Sequence, residues 1–486
     1  MSMTSEIPTG LAALEARLKQ DLAWLELPAK RWVIERAQDG HPVLEVAIIG
    51  GGMAGMAAAA ALKMVGIQAV IFDRSPAGFE GPWVTTARME TLRSPKQLTG
   101  PALGLPALTF RAWFEAQFGL AQWESLDKIP RPQWMDYLRW YRRVLSLDVR
   151  NGHDVQRVTP RADQLVELEI HSPLGCQIVL ARRLVMATGR DGLGGAYVPE
   201  IAKTLARQVW AHSSDPLDYA TLRGKRVGVV GAGASAMDSA ATALEAGALS
   251  VDMLIRRDDL PRINKGKGAG SAGMVHGFMS LPEQWKWRIR HYLGTQQVPP
   301  PRGSTQRVSK FENARFNFGC ALHSVEAGDQ GVVVHTTKGI FELDFVIFST
   351  GFMIDWWKRP EYAAIAPNVL AWGDRLRTSA EPGGQEMIDS PDLGPAFEFK
   401  EKGPGQCPGL DRIHCFCYPA ALTHGTVSGD IPAISEGAKR LAQGIAAHFY
   451  REDIDEHYAR MQRYDEPELL GDEWTPAVRN KINLTE

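Results

Sequence analysis

Twice in this chain a short apolar strand runs into a glycine-rich turn and straight on into an Ala-rich helix. The first unit reads Leu44 to Ile49, then Gly50-Gly51-Gly52-Met53-Ala54-Gly55, then a helical stretch to Val65 and a second strand from Ile67 to Phe72. This is G-x-G-x-x-G with a strand before it and a helix after it. The first glycine permits the turn, the second lets a pyrophosphate approach the backbone, and the third lets helix and strand pack closely. The helix start at Met53 and Ala54 offers unpaired N–H groups and a positive dipole end to that anion. Asp73, 23 residues after Gly50 and followed by Arg74, ends the second strand, where a carboxylate can bind ribose hydroxyls.

The second unit runs from Arg226 to Val230, through Gly231-Ala232-Gly233-Ala234-Ser235-Ala236, along a helix to Ala246 and a strand from Ser250 to Ile255. Alanine stands in the third glycine position, which the pattern allows. Its second strand ends in Arg256-Arg257 in place of an acid. Guanidinium groups bind phosphate bidentately and stay charged, so this site favours the 2′-phosphate of NADPH. Strands alternating with helices predict an α/β fold with two Rossmann-like dinucleotide-binding domains.

The 486 residues divide accordingly. Residues 1–42 form an N-terminal extension, residues 43–217 the first part of one domain, and residues 218–345 a second domain with an insertion at 258–310. Residues 346–486 return to the first domain and add C-terminal helices. In the extension Leu11, Leu14, Leu18, Leu22 and Leu25 mark one helix face, ended by Pro28, that packs on the body or on a second subunit of a possible homodimer. A net charge of −2 argues against a nucleic-acid partner. Five cysteines in a chain this long do not suggest a disulfide framework, and Cys407, Cys415 and Cys417 with His414 match no common zinc spacing, so no metal is expected. The first eight residues lack a basic stretch and an apolar core, which leaves the cytoplasm as the expected compartment. Val46 to Leu62 is uncharged for 17 residues, but its glycines fit a strand, a turn and a buried helix better than a membrane span.

An acid-tipped first site and an Arg-tipped second one resemble the flavoproteins with two dinucleotide-binding domains, and the resemblance spans Val43 to Tyr450. It implies FAD at the first site and NADPH at the second, with the NADPH domain inserted in the FAD domain. Leu184 to Gly189 and Phe345 to Gly351 resemble the paired strand ends, at Thr188-Gly189 and Thr350-Gly351, where such chains cross between domains. No C-x-x-C or C-x4-C pair is present, so disulfide reductase chemistry is disfavoured. The chain resembles instead the single-component, class B flavin-dependent monooxygenases. Gly81-Pro82-Trp83, Leu92-Arg93-Ser94-Pro95-Lys96-Gln97 and Ile129-Pro130-Arg131-Pro132 with Tyr137-Leu138 look like that family's segments beside the flavin. Val209 to Ser213 resembles the histidine end of its linker signature, with His212 kept and Ala206 and Gln208 replacing the usual Phe and Gly. Gly429-Asp430, entering a helix from about Ala433 to Phe449, looks like the family's contact with the FAD ribityl chain, while Asp430 also suits a helix N-cap.

The resemblance implies hydride transfer from NADPH to FAD, oxygen addition at the flavin C4a carbon, and passage of one oxygen atom to a small-molecule substrate. Candidates for flavin-side roles are Trp83 as a wall and Arg93 or Lys96 as cations near developing negative charge. Arg88, Arg93, Lys96, Lys265 and Lys267 lie in segments that can face the site, which suits an acidic or amino-acid-like substrate. N-hydroxylation of a small amine or amino acid is the leading expectation. Baeyer–Villiger or sulfur oxygenation, NADPH oxidase activity, and a non-enzymatic FAD-binding scaffold or sensor stay open.

Overall fold

The computed structural model describes residues 9–328, 331–375 and 384–477. The first eight residues, on which the expectation of no leader rests, lie outside them. Among the described residues no helix is long and apolar enough to cross a membrane. The uncharged run from Val46 is divided as its glycines demand, into the end of the strand His41–Ile49 and the helix Met53–Met64.

The first sheet is built around His41–Ile49. It pairs in parallel with Ala69–Asp73 on one side and with the far half of Gly175–Met186 on the other. Asp148–Asn151 and Ile413–Cys415 extend the parallel core outward. The strand Gly175–Met186 serves two purposes along its length. Its near half is exposed or half-buried and pairs antiparallel with Val166–Ser172, whereas Ala181 to Met186 is buried throughout. Parallel strands covered on both faces need such continuous burial. The helix Met53–Met64 carries a run from Ala57 to Ala61 that is almost fully buried, and these small side chains let the C-terminal helix Ile434–Glu452 lie against it.

That C-terminal helix is fastened by charge. Arg182 and Arg183 are about 1% exposed inside the sheet, where Arg182 pairs with Asp453 at 2.7 Å and Arg183 pairs with Glu452. The Arg182 guanidinium also lies 4.4 Å from the Phe449 ring centroid. Two buried cations are tolerable here only because two carboxylates at the helix end face them.

The second sheet is all parallel, in the order Ala314–Asn317, Ser250–Leu254, Arg226–Val230, Phe345–Phe348, Trp210–His212. Trp210–His212 therefore pairs into the sheet of the second domain, although a division at residue 217 leaves it with the first. Three residues are too few to read as a strand without their partner, Phe345–Phe348. An antiparallel ribbon, Gly194–Ala196 with Phe352–Ile354, joins the two chain crossings between the domains.

The insertion is helical, chiefly Glu283–Gln296 and Arg302–Ser309, and reaches across to the first domain. Arg440 donates to the Val275 carbonyl at 3.0 Å, Arg375 pairs with Glu283, and the buried Phe278 packs on Gly425. The N-terminal helix Gly10–Trp24 packs on its own chain through Leu11, Leu14, Leu18 and Leu22, while Leu25 is exposed. Glu15 on this helix accepts from the Trp140 indole at 3.0 Å.

Candidate active site

The two glycine turns are built alike. Gly50 has φ +101° and Gly231 has φ +131°, both in the region that only glycine enters freely. A Cβ at Gly50 would stand 2.6 Å from the Ala187 carbonyl oxygen, and one at Gly231 would stand 2.6 Å from the Ser349 carbonyl oxygen. Ala187 and Ser349 are the residues directly before Thr188-Gly189 and Thr350-Gly351, so each turn rests against one of the crossings the sequence singles out. Gly55 could not carry a side chain either, since its Cβ would fall 1.9 Å from the Gly50 carbonyl oxygen. At Gly52 a Cβ meets nothing nearer than 3.8 Å, and at Gly233 nothing within 4 Å. These open positions stand before the first turns of Met53–Met64 and Ala234–Glu245, where a pyrophosphate can reach backbone N–H groups. The cradles fit two dinucleotides.

At the first site Asp73 accepts from the Gly51 N–H at 2.6 Å and from the Ser75 N–H at 2.7 Å. Its carboxylate thereby shapes the turn as well as standing where a ribose would lie. Arg74 beside it is exposed. At the second site no ion pair forms at Arg256 or Arg257 among the described residues, which leaves both guanidinium groups available to a phosphate.

Between the turns the two domains meet, and the open ground there is the candidate cleft. Trp83 meets Trp134 edge-on at 6.2 Å, and the Trp83 carbonyl accepts from Arg131, which fixes the Gly81-Pro82-Trp83 segment opposite Gly52. Arg93 reaches across the boundary to Asp238 on the helix Ala234–Glu245, Nη2 to Oδ2 at 3.5 Å. Burial lowers the Arg93 pKa, opposed by Asp238 and assisted by the nearby charge of Arg190. Asp430 is exposed, yet desolvation by the protein around it raises its carboxyl pKa, against a hydrogen bond to Thr426 and the charges of Arg290 and Arg190. It makes no side-chain cap to the turn Ile431–Ala433, so its carboxylate is not consumed there.

Lys96 does not join this group. Its ammonium donates to the carbonyls of Trp123 at 2.7 Å and Glu124 at 3.1 Å, closing the C-terminal end of the helix Phe110–Ser125. Unpaired carbonyls and the negative dipole end attract a cation there, so the structure assigns it a capping role in place of the flavin-side role expected. Arg88 is likewise tied to backbone carbonyls, of Thr85 and Leu217. His212 is 1% exposed, with Nδ1 2.7 Å from the Ser214 hydroxyl, and burial holds its pKa down. Cys415 and Cys417 are buried free thiols with their sulfurs 3.5 Å apart.

Sequence reading missed Arg190, Tyr418 and Asp238. Arg190 directly follows Thr188-Gly189, and Asp238 is an acid at a buried position one turn into a nucleotide-binding helix, so each carried a local signal. Tyr418 carried none.

Comparison with known proteins bears on what this cleft does. Residues 105–297 match the family model of L-lysine 6-monooxygenase/L-ornithine 5-monooxygenase. A FAD-dependent urate hydroxylase from Xanthomonas campestris pv. campestris is 40% identical over 465 residues, covering 95% of this chain and 98% of the relative. The chain belongs to the class B flavin-dependent monooxygenases. Solved structures share its fold: ornithine hydroxylase from Pseudomonas aeruginosa (TM-score 0.66, 15% identity, 84% of this chain and 99% of that one) is one. Another is the Kutzneria sp. 744 ornithine N-hydroxylase, solved with reduced FAD, NADP⁺ and L-ornithine (TM-score 0.64, 16% identity, 84% and 100%). This monooxygenase uses FAD and NADPH, in keeping with its two glycine cradles.

Proposed function

We propose that this monooxygenase hydroxylates a planar, anionic, nitrogen-rich heterocycle of the urate type. The observation that carries the reading is the full-length relative, 40% identical and named for that substrate. The cleft agrees with it, since Arg190 lies beside the aromatic rings of Phe352 and Tyr418, with the charge of Arg93 near enough to be felt. Guanidinium groups and aromatic faces together suit a flat anion.

FAD, reduced by NADPH, supplies the activated oxygen atom. The chain's own residues do the rest. Gly50, Gly52, Met53, Ala54 and Gly55 hold one pyrophosphate, with Asp73 and Arg74 at its ribose end. Gly231, Gly233, Ala234, Ser235 and Ala236 hold the other, and Arg256 and Arg257 take the 2′-phosphate. Trp83, Thr188, Gly189, Gly429, Asp430, Thr350 and Gly351 line the reacting end.

N-hydroxylation of a small amine or amino acid is the second reading, favoured by the family model over residues 105–297. Purified protein supplied with FAD, NADPH and oxygen separates the two. Urate should stimulate NADPH oxidation and oxygen uptake with little peroxide, giving a product one oxygen atom heavier. Stimulation by L-ornithine or L-lysine alone would establish the second reading, and stimulation by a ketone would establish Baeyer–Villiger chemistry. Stoichiometric peroxide with every compound would make the protein an NADPH oxidase.

A further inference from the structure

Arg190 is held in an unusual way for a surface-accessible arginine. Its guanidinium carbon lies 3.7 Å above the Tyr418 ring centroid and 5.8 Å from that of Phe352. The two backbones are stitched together as well, the Tyr418 N–H donating to the Gly189 carbonyl at 3.2 Å. Gly189 has φ +86°, a turn that directs the next residue away from the strand. Tyr418 holds the guanidinium by its ring and by a side-chain hydrogen bond, and among the described residues no carboxylate pairs with the N–H groups that remain. Asp430 and Glu386 act on Arg190 only through space.

A second cation stands close by. Arg93 is near enough for the Arg190 charge to disfavour its own, and only Asp238, at 3.5 Å, offsets Arg93 directly. Two like charges gathered on one cleft wall repel each other unless an anion lies between them. The cofactors' phosphates have receptors elsewhere, in the two glycine cradles and at Arg256 and Arg257. The remaining sources of negative charge are a substrate anion and FAD in its reduced state.

We infer that Arg190, stacked on Tyr418, binds the negatively charged edge of the substrate ring and so selects an anionic heterocycle over a neutral one. This rests on the functional reading above. Stacking on Tyr418 favours the substrate over the flavin as the partner, because a guanidinium clamped flat can hold a planar ligand coplanar with itself through two N–H bonds. Arg93 adds charge from another segment of the same domain, held there by Asp238 of the second domain.

The test uses the FAD-loaded enzyme and the variants Arg190→Gln and Arg190→Lys, each checked for flavin content. The KM for urate, the anaerobic rate of flavin reduction by NADPH, and the flavin midpoint potential are measured for each. Arg190→Gln should raise the urate KM on the order of 30-fold or more, as expected on truncating one partner of a charged pair. Flavin reduction should change by less than about threefold, within the scatter of indirect effects. Arg190→Lys should recover charge but not the two-bond geometry, and fall between. An unchanged KM overturns the inference, as does a fall in midpoint potential with the KM unchanged, which would assign the charge to the flavin. Wild-type enzyme that does not turn over urate at all overturns the functional reading first, and this inference with it.

Discussion

Arg93 and Asp238 meet across the domain boundary, Nη2 to Oδ2 at 3.5 Å, one from the flavin-side loop and the other from the NADPH-binding helix. Asp238 is 3% exposed and also faces Arg307, which pairs in turn with Glu245 at 2.7 Å and Glu90 at 3.4 Å. One buried carboxylate therefore organises cations from two segments. Asp238→Asn keeps the shape and removes the charge, leaving Arg93 and Arg307 facing each other without it. A loss of roughly 1–3 kcal/mol is expected, the worth of hydrogen bonds to a charged group. Urea denaturation followed by Trp fluorescence checks the stability, and stopped-flow reduction by NADPH should slow in step. An unaltered midpoint would show that the pair contributes nothing to docking.

The glycines divide into two kinds, and substitution separates them. Gly50→Ala forces a Cβ to 2.6 Å from the Ala187 carbonyl oxygen at φ +101°, and should prevent folding of the first domain. Gly52→Ala meets no protein atom nearer than 3.8 Å, so the chain folds while the new methyl group blocks the pyrophosphate. Gly233→Ala is the counterpart at the second site. It should retain bound FAD and lose reduction by NADPH. Flavin absorbance of the purified variants, then NADPH titration, reads all three outcomes.

How legible the site was depended on how far its parts lie apart in the chain. The turns were readable because their demands are local: Gly50, Gly52 and Gly55 answer to a strand and helix directly adjoining them. Lys96 was misjudged because its partners, Trp123 and Glu124, lie 27 and 28 residues away at a helix end that its own segment does not announce. Arg190 and Tyr418 become neighbours only when Ile413–Cys415 joins the first sheet beside Gly175–Met186. No spacing rule links residues that a sheet assembles from opposite ends of a domain. The same holds for Trp210–His212, a strand only because Phe345–Phe348 lies beside it.

The capping role of Lys96 gives a sharp expectation. Lys96→Met keeps the length and removes the charge. The helix Phe110–Ser125 then loses its C-terminal cation, at a cost of about 1–2 kcal/mol from the dipole and the lost hydrogen bonds. Thermal unfolding should detect this. Turnover per mole of bound flavin should stay near wild type, whereas a large fall in kcat at full flavin occupancy would return Lys96 to the flavin.

Cofactor choice should rest on the strand end at Arg256 and Arg257. Replacing both with Gln removes two charges offered there to a 2′-phosphate, while NADH carries no such group. A fall of about 10–100-fold in kcat/KM for NADPH is expected, the worth of charge-assisted hydrogen bonds at about 1.5–3 kcal/mol. The value for NADH should hold within about twofold, since the substitutions do not touch the pyrophosphate cradle. Steady-state kinetics with each nucleotide at saturating oxygen makes the comparison, and equal losses with both would place the arginines elsewhere in function.

Stability should decline in mild acid because burial holds down the pKa of several histidines, His212 and His448 among them and His424 and His414 foremost. His424 stacks on Phe397 with ring centroids 3.7 Å apart, and its Nε2 lies 3.0 Å from the Gly394 carbonyl oxygen. Burial, with the charge of Arg440, pushes its pKa down to about 3. His414 is fully buried, and burial with Arg183 nearby holds it well below its ordinary value too. The unfolded chain titrates these groups near pH 6.5, so below that pH it takes up protons that the folded state refuses. Folding is thereby disfavoured by about 1.4 kcal/mol per pH unit for each histidine, from about pH 6.5 downward. The carboxylates Glu452 and Asp453, held low by their arginine partners against the effect of burial, begin to contribute only at lower pH. Between pH 6.5 and 5, the slope of unfolding free energy against pH therefore reports the histidines. His424→Asn should lower stability at pH 7.5 by removing the stacked ring, yet reduce that slope by the His424 share. A slope equal to wild type would mean that His424 is protonated in the folded protein.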